Sequence, residues 1–393
     1  MASSEMVDRR LQFGLLGPLE MSIDGALVGL GTPKQRAVLA QLVINRNRPV
    51  GVDSLITALW EEWPPSGARA SIHSYVSNLR KLLSNGGIDP KVVLAAAPPG
   101  YRLSIADSSC DLGRFIAEKT AGVHAAASGR FEQASRHLAA ALAEWRGPVL
   151  DDLRDFQFVN AFATALVEDK ILAHTAKAEA EIACGRASAV IVELEALTVE
   201  HPYREPLWGQ LITAYYLSDR QSDALGAYRR LKTTLADDLG IDPPPNLRAL
   251  NERILRQEPL DAKRNAQTTA AGTVTVLDQR TRVFGQNAVA YLHAASGASY
   301  PLQSAATRIG RLHDNDIVLD SANVSRHHAV IIDTGTNFII NDLRSSNGVH
   351  VQHQRIRNTA SLNDGDHIRI CDHEFTFQIR QGPVSDADDR TLA

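Results

Sequence analysis

The stretch Asn323–Ile332 reads NVSRHHAVII, in which a polar turn with two adjacent histidines runs into an apolar segment. A short apolar run bounded by turn residues is typical of a buried strand. Similar runs, broken by Gly, Asn and Asp, recur over residues 273–381 and predict an all-β sandwich. Neighbouring side chains on a strand point to opposite faces, so His327 and His328 are not expected to share a metal ion. We predict no metal site and no cofactor.

Length and composition place the chain among multidomain globular proteins. Its 393 residues exceed what one core holds, which predicts two or three domains. No apolar run reaches the roughly 18–20 residues of a membrane span, and no secretory signal is evident. Cys110, Cys184 and Cys371 are far apart and odd in number, which argues against a disulfide framework. We expect a cytoplasmic protein.

The charge is unevenly distributed along the chain. The net charge is −4, yet residues 1–105 carry eleven basic and eight acidic side chains. A mildly basic N-terminal domain on an acidic protein is compatible with nucleic-acid binding, although the signal is weak alone. Residues 382–393, with Asp386, Asp388 and Asp389, are predicted to form a disordered tail.

Residues 1–107 are predicted to form an α+β domain of short strands, three helices and a hairpin. Thr32 is placed to cap the first helix ahead of Pro33, and Ser66 is a candidate cap for the third. The segment VVLAAAPPGYRLSI reads as two strands joined at Pro-Pro-Gly. Strands, three helices and a terminal hairpin in this order resemble a winged-helix domain.

The third helix, ARASIHSYVSNLRKLL, has an apolar face and a polar face. Its apolar residues at helical spacing are Ile72, Val76, Leu79 and Leu83. The polar face and its flanks carry His73, Ser74, Ser77, Asn78, Arg80 and Lys81. Hydroxyl and amide groups can meet base edges while Lys and Arg neutralise phosphates, so we predict DNA contacts here. Any surface helix has a polar face, and a purely structural role remains the alternative.

Residues 108–258 are alanine-rich and helical in pattern. The segment 205–235 has the residue placement of one tetratricopeptide unit, with Trp208, Leu211, Tyr215, Ala224 and Tyr228 as packing positions. An ordinary helical bundle is the alternative. Residues 259–272 are small and polar without an apolar period, which predicts a linker to a β-domain over 273–381.

The first two segments resemble a known family of regulators. Together with PPGYRLSI, the motifs DLGRF, EWRGPVLDDL and LGIDPPPNLRAL are similar to the OmpR/PhoB-type winged helix followed by the bacterial transcriptional activation domain of the Streptomyces antibiotic regulatory protein (SARP) family. The resemblance implies that the third helix enters the DNA groove, that Arg102 contacts a backbone phosphate and that Tyr101 packs the hairpin. We expect the winged helix to bind promoter DNA and the helical segment to contact RNA polymerase or a second copy of the chain.

The third segment resembles the forkhead-associated (FHA) domain. The matching motifs are Gly310-Arg311, Ser325-x-x-His328 and Asn347-Gly348. The resemblance implies phosphothreonine recognition, with a phosphorylated Ser/Thr protein kinase as partner. Arg311 supplies a cationic fork and Ser325 a hydroxyl, both suited to a phosphate dianion.

Further roles follow from the same resemblance. Arg326 and Ser346 are implied as additional phosphate contacts, and Asn347 as the residue that holds the peptide backbone. Gly310, His328 and Gly348 are implied as structural. Serine at 346 and valine at 349 depart from the threonine and small hydroxyl residue that are frequent there, which leaves the peptide preference open.

The combined motifs predict a transcriptional activator controlled by phosphorylation. The alternative is a signalling scaffold that gathers phosphoproteins without binding DNA. An enzyme is not favoured, because the sequence contains no G-x-x-x-x-G-K-[ST], H-E-x-x-H or G-x-S-x-G motif.

Overall fold

The computed structural model describes residues 10–283 and 289–380, except residues 62, 303–305, 314, 334–337, 344 and 357–358. The predicted tail at 382–393 lies outside the described residues. The chain divides into two compact units. The first comprises residues up to 114, residues 144–167 and residues from 278 onward, and the second comprises 115–143 and 168–277.

The N-terminal part of the first unit has the predicted strand, helix and hairpin order. Its strands are β1 (Leu11–Gly14), β2 (Glu20–Ile23), β3 (Ala26–Leu27), β4 (Val50–Gly51), β5 (Leu94–Ala97) and β6 (Gly100–Leu103). Its helices are α1 (Pro33–Ile44), α2 (Val52–Trp60), α3 (Ala68–Asn85) and α4 (Pro90–Val93). The sheet β1-β2-β3 is antiparallel, and the hairpin β5-β6 gains β4 as a third strand in the order β4-β6-β5.

Two predicted helix caps have different outcomes. The Thr32 side chain accepts a hydrogen bond from Gln35 N at 3.4 Å, and Pro33 opens α1, as predicted. The cap prediction for Ser66 is wrong, because α3 begins after Gly67 without a side-chain cap. Gly67 occupies the cap position, and Ser66 lies one residue before it.

The buried face of α3 is the predicted one. Ile72, Val76, Leu79 and Leu83 are each at most 3% exposed. They pack towards α1 and α2, so that the polar residues of α3 face outward. Burial of one stripe thus decides which side of this helix is available to a partner.

Asp111, the first residue of the DLGRF motif, joins the start of the chain to the following helix. Its carboxylate is 2% exposed and accepts hydrogen bonds from Leu15 N at 2.8 Å, Leu16 N at 2.9 Å and Leu112 N at 2.7 Å. Arg146 Nη2 lies 3.3 Å from the same carboxylate. A buried carboxylate with this many donors is held by charge-assisted hydrogen bonds, which are stronger than neutral ones.

The helical region contains seven helices among the described residues. They are α5 (Asp111–Ala127), α6 (Phe131–Ala143), α7 (Gln157–Ala183), α8 (Ile191–Glu200), α9 (Glu205–Leu217), α10 (Gln221–Leu239) and α11 (Pro245–Leu255). In the hairpin of α9 and α10, four of the five predicted packing positions are buried. Tyr228 is half-buried instead, and Ala227 faces the interior.

A buried ion pair lies inside the second unit. Lys119 Nζ is 2.9 Å from Asp169 Oδ1, and both side chains are 1% exposed. The ammonium also lies 5.4 Å from the ring centroid of Phe115. Removing one of the two charges would leave the other buried without this ion pair. The resulting loss of folding stability is much larger than the loss on breaking an exposed ion pair.

The prediction of a linker over 259–272 is wrong. Residues Ala262–Val283 form a helix, α12, which also replaces the strand predicted at 273–278. Ala266 and Ala270, four residues apart, are buried at 3% and 6% exposure, and Gln267 Nε2 donates to Ala127 O at 3.1 Å. Small alanines let this helix pack closely, but they give little apolar contrast in the sequence.

The C-terminal part of the first unit is the predicted β-sandwich. Its strands are β7 (Val289–Ala294), β8 (Ser299–Leu302), β9 (Ala306–Gly310), β10 (Ile317–Val318), β11 (Ala329–Asp333), β12 (Phe338–Asp342), β13 (Val349–Val351), β14 (Gln354–Arg355), β15 (Thr359–Leu362), β16 (His367–Ile370) and β17 (His373–Arg380). One sheet has the order β10-β9-β11-β12-β15 and the other β14-β13-β16-β17-β7-β8. Side chains such as Leu292, Ile309, Ile340, Val349 and Phe377 fill the core between them.

Two further findings concern the described residues only. None of the helices described there combines the length and apolarity required to cross a membrane. The three cysteines are free, and burial raises the pKa of the Cys110 thiol to about 12.

We predict that Asp111→Asn destabilises the protein by about 2–3 kcal/mol, because the amide loses one acceptor and turns an NH2 group towards backbone donors. The measurement is the urea midpoint followed by tryptophan fluorescence. Asp89→Asn is the control, since Asp89 is exposed and caps Lys91 N at 2.9 Å, a role that asparagine fills equally well. Equal midpoints for the two variants would contradict the importance of Asp111.

Candidate functional site

Three loops at one end of the β-sandwich surround an open cleft of about 470 Å³. They follow β9, precede β11 and precede β13. The five residues predicted to bind phosphothreonine all line this cleft: Arg311, Ser325, Arg326, Ser346 and Asn347. The structure therefore brings together side chains that the sequence separates, while their phosphate-binding role stays a prediction.

Backbone and side-chain hydrogen bonds hold Arg311 and Ser325 in register. Arg311 N donates to Ser325 O at 3.0 Å, and its exposed guanidinium is on the cleft wall. The Ser325 hydroxyl oxygen accepts from Ser346 N at 3.1 Å, which leaves its own proton available to an acceptor in the cleft. A cation and a free hydroxyl proton side by side form a suitable setting for an anion.

Asn347 is oriented by a neighbour that the motif does not include. Its Nδ2 donates to Asn323 O at 2.7 Å, and Cys371 Sγ donates to the same carbonyl at 3.1 Å. One amide proton is used in this way, and Oδ1 remains able to accept from a peptide N–H. The side chain is thus fixed in a position suited to its predicted role.

His328 connects two of the loops from inside the sandwich. It is 0% exposed, and its Nδ1 accepts from Ser325 N at 3.1 Å. The ring proton must therefore be on Nε2, which donates to Gly348 O at 3.2 Å. Burial lowers the pKa of this imidazole, because the charged form is poorly solvated there.

Gly310 and Gly348 are glycines for different steric reasons. A Cβ at Gly310 would lie 2.3 Å from Arg326 O, so any side chain would push apart the first and second loops. Gly348 has φ +76°, a left-handed conformation that side-chain-bearing residues avoid. Both glycines shape the loops without direct chemistry.

Sequence reasoning missed Asn315, which is 6% exposed and ties the first two loops together. Its Nδ2 donates to Leu312 O at 2.9 Å and to Arg326 O at 2.8 Å, while Oδ1 lies 3.3 Å from His327 Nδ1. The only available signal was an asparagine between Asp314 and Asp316, which reads as an ordinary loop. His327 and His328 turn to different partners, and no metal-binding cluster occurs among the described residues.

The predicted DNA-binding residues on α3 divide into two groups. His73, Asn78 and Arg80 make contacts within the domain: His73 Nδ1 is 2.6 Å from the Tyr101 hydroxyl, and Asn78 Nδ2 donates to Gln35 Oε1 at 3.2 Å. Arg80 donates to Leu94 O through Nε at 3.0 Å and Nη2 at 2.8 Å. These bonds fasten α3 to α1 and to the hairpin.

Among the described residues, the side chains of the other group make no hydrogen bond to another element, and the Ser74 hydroxyl donates to Ala70 O within α3 at 3.0 Å. Ser74, Ser77 and Lys81 are exposed on α3, and Arg102 is exposed on β6. Tyr101 is 9% exposed and lies under the Arg80 guanidinium at 5.5 Å, which agrees with a packing role. The exposed residues form a polar surface that carries two positive charges, Lys81 and Arg102.

Comparisons with known proteins agree with this architecture. The family profile "Transcriptional regulatory protein, C terminal" matches residues 28–103, "Bacterial transcriptional activator domain" matches 110–255 and "FHA domain" matches 307–371. These matches define a SARP-type transcriptional regulator with a C-terminal FHA domain, a class that is not enzymatic.

The chain belongs to the family of mycobacterial transcriptional regulatory proteins EmbR. It is 85% identical to Mycobacterium tuberculosis EmbR over 383 residues, covering 97% of this chain and 99% of that protein. It is 54% identical to M. tuberculosis MoaR1 over 252 residues, covering 64% and 81%. A solved structure of M. tuberculosis EmbR in complex with a low affinity phosphopeptide has a TM-score of 0.92 and covers 95% of this chain and 99% of that one.

We predict that His328→Asn weakens the sandwich at neutral pH and that the difference from wild type narrows as the pH falls. The pKa of His328 is lowered in the folded state, so its contribution is present above pH of about 6.5 and is lost as the pH falls through the folded pKa. The measurement is the opening free energy of β11 amides from hydrogen exchange at pH 7.5 and 5.0, corrected for intrinsic rates.

The control for this pH dependence is His353→Asn. His353 is exposed at φ +66°, which asparagine tolerates, so its protection should match wild type at both pH values. A His328→Asn difference that is the same at pH 7.5 and 5.0 would rule out the neutral imidazole as the connecting group.

Proposed function

We propose that this protein is a cytoplasmic transcriptional activator that binds promoter DNA through α3 and the β5-β6 hairpin and binds a phosphothreonine through the FHA cleft. The observation that carries the proposal is the convergence of Arg311, Ser325 and Asn347 on one open cleft. A phosphothreonine carries a charge of about −1.5 to −2 and three acceptor oxygens. The cleft offers a guanidinium fork, a hydroxyl proton and an oriented amide, which match those needs.

The partner at the cleft is proposed to be a phosphorylated Ser/Thr protein kinase, which would also modify this chain. The solved complex of the M. tuberculosis relative with a low affinity phosphopeptide supports a phosphopeptide as the class of ligand. The resemblance to EmbR implies that the controlled genes encode cell-wall arabinosyltransferases. RNA polymerase and a second copy of the chain complete the proposed partners.

The winged helix is proposed to place α3 in the major groove. Ser74 and Ser77 would meet base edges or phosphates, while Lys81 and Arg102 neutralise backbone charge. Because Arg80, His73 and Asn78 hold the domain together, their contribution to DNA binding would be through the position of α3. In this proposal, only some of the polar residues on α3 contact DNA directly.

The second candidate, a phosphoprotein scaffold without DNA binding, has one observation in its favour. Four of the seven residues expected to contact DNA, namely His73, Ser74, Asn78 and Arg80, already make side-chain hydrogen bonds within the domain. Promoter footprinting separates the two functions, because a scaffold would protect no promoter sequence.

Arg311→Ala should weaken binding of a phosphothreonine peptide by at least about 30-fold, since a charge-assisted hydrogen-bonded pair contributes roughly 2 kcal/mol or more. Isothermal titration of the full chain measures the loss, and a promoter gel shift should be nearly unchanged. Arg369→Ala, an exposed arginine of β16 outside the cleft lining, is the control. Kinase capture that survives Arg311→Ala, Ser325→Ala and Asn347→Ala combined would refute the phosphate site.

Lys81→Ala and Arg102→Ala should each lower promoter affinity and reduce the slope of log affinity against log salt by about 1, because each removes one phosphate contact. The measurement is a gel shift over a series of salt concentrations. Lys232→Ala, an exposed lysine on α10, should leave both values unchanged. If the wild-type chain binds no promoter DNA at low salt, with or without kinase treatment, the activator function is wrong.

A further inference from the structure

The phosphopeptide cleft has one wall that does not come from the FHA fold. Gln157, the first residue of α7, lines the cleft together with Arg311, Ser325 and Asn347. It lies outside residues 307–371, the range of the FHA match. The site that the full chain presents is therefore larger than the site of its β-sandwich.

The start of α7 and the sandwich belong to the same compact unit. Behind the cleft, a cavity of about 130 Å³ is lined by Phe158 and Phe162 of α7 and by Val330 and Ile332 of β11. Gln157 lines this cavity as well as the cleft. The first turn of the helix therefore lies beside the loops of the cleft.

Two more observations tie this region to the cleft. His327, which follows the predicted phosphate contact Arg326, also lines both the cavity and the cleft. On the winged helix, Arg48 Nη1 is 3.2 Å from Asp333 Oδ2 at the end of β11, and the Asp333 side chain is 8% exposed. Gln157 and His327 thus share both the cleft and the cavity, and the Arg48–Asp333 ion pair joins the winged helix to the end of β11.

The Gln157 side chain is suited to a peptide. It is exposed, and within the part of the chain that the structure describes its amide makes no hydrogen bond. An amide can donate to a phosphate oxygen or a peptide carbonyl and can accept from a peptide N–H. The Gln157 amide is thus available to a ligand, whereas Ser325 and Asn347 in the same cleft are already oriented by hydrogen bonds.

We infer that Gln157 is a phosphopeptide-contacting residue, so that the binding site combines the FHA loops with the first turn of α7. The inference rests on the proposed phosphothreonine binding and adds a specificity determinant from outside the FHA domain. The sandwich loops bind the phosphate, and Gln157 reads the adjoining part of the peptide.

The test compares full-length Gln157→Ala and Gln157→Glu with wild type. The probe is a fluorescein-labelled phosphothreonine peptide, chosen as the tightest binder of wild type from an oriented peptide library, and the readout is fluorescence anisotropy. Gln157→Ala should raise the Kd about threefold or more, through loss of a hydrogen bond. Gln157→Glu should raise it further, about tenfold, because the new carboxylate repels the phosphate, and this extra loss should shrink at high salt.

The variant design separates binding from folding. An acidic residue in the first turn of a helix is stabilising, so Gln157→Glu should keep or raise the thermal midpoint while binding weakens. Gln354→Glu makes the same charge change at an exposed position of β14 outside the cleft lining and should bind as wild type.

The outcomes for this inference and for the proposed function are distinct. If both Gln157 variants bind within twofold of wild type while Arg311→Ala loses binding, the role of Gln157 is refuted and the phosphate site stands. If Arg311→Ala also binds as wild type, the phosphate site itself is refuted, and the inference with it.

Discussion

The cleft depends on a buried neutral imidazole. His328 accepts from one loop and donates to another, and its full burial leaves both bonds without competition from water. His328 joins the backbone of Ser325 to that of Gly348, so it positions the loops that carry the Ser325 hydroxyl and the Asn347 amide although it does not line the cleft itself. Asn315 makes the corresponding connection between the loops of Arg311 and Arg326.

The winged helix follows the same arrangement, in which some polar residues hold the frame and others remain exposed. Arg80 and His73 bind the hairpin through Leu94 and Tyr101, so the position of the exposed Lys81 relative to Arg102 is fixed by their neighbours. The Asp111 carboxylate holds the turn after β1 by accepting hydrogen bonds from Leu15 N and Leu16 N. Asp111 is buried, so its hydrogen bonds are sheltered from solvent and stabilise the fold.

Much of the fold could be predicted, because burial leaves a periodic trace in the sequence. The stripe of Ile72, Val76, Leu79 and Leu83 and the alternating strands of the sandwich were readable for that reason. Residues 262–283 were not, since alanine packs a helix through small size and gives no apolar contrast, while the valines and threonines at its end suggested a strand. Ser66 was misread because a hydroxyl near a helix start is not always its cap.

The sequence by itself determined the three-domain order and the residue types that converge on the cleft, since Gly310-Arg311, Ser325-x-x-His328 and Asn347-Gly348 are local motifs of short loops. Only the tertiary structure decided that Asn78 and Arg80 form hydrogen bonds within the domain and that Gln157 lines the cleft. The physical reason is that a local pattern encodes which side of an element is buried, whereas the partner that buries it comes from a distant part of the chain.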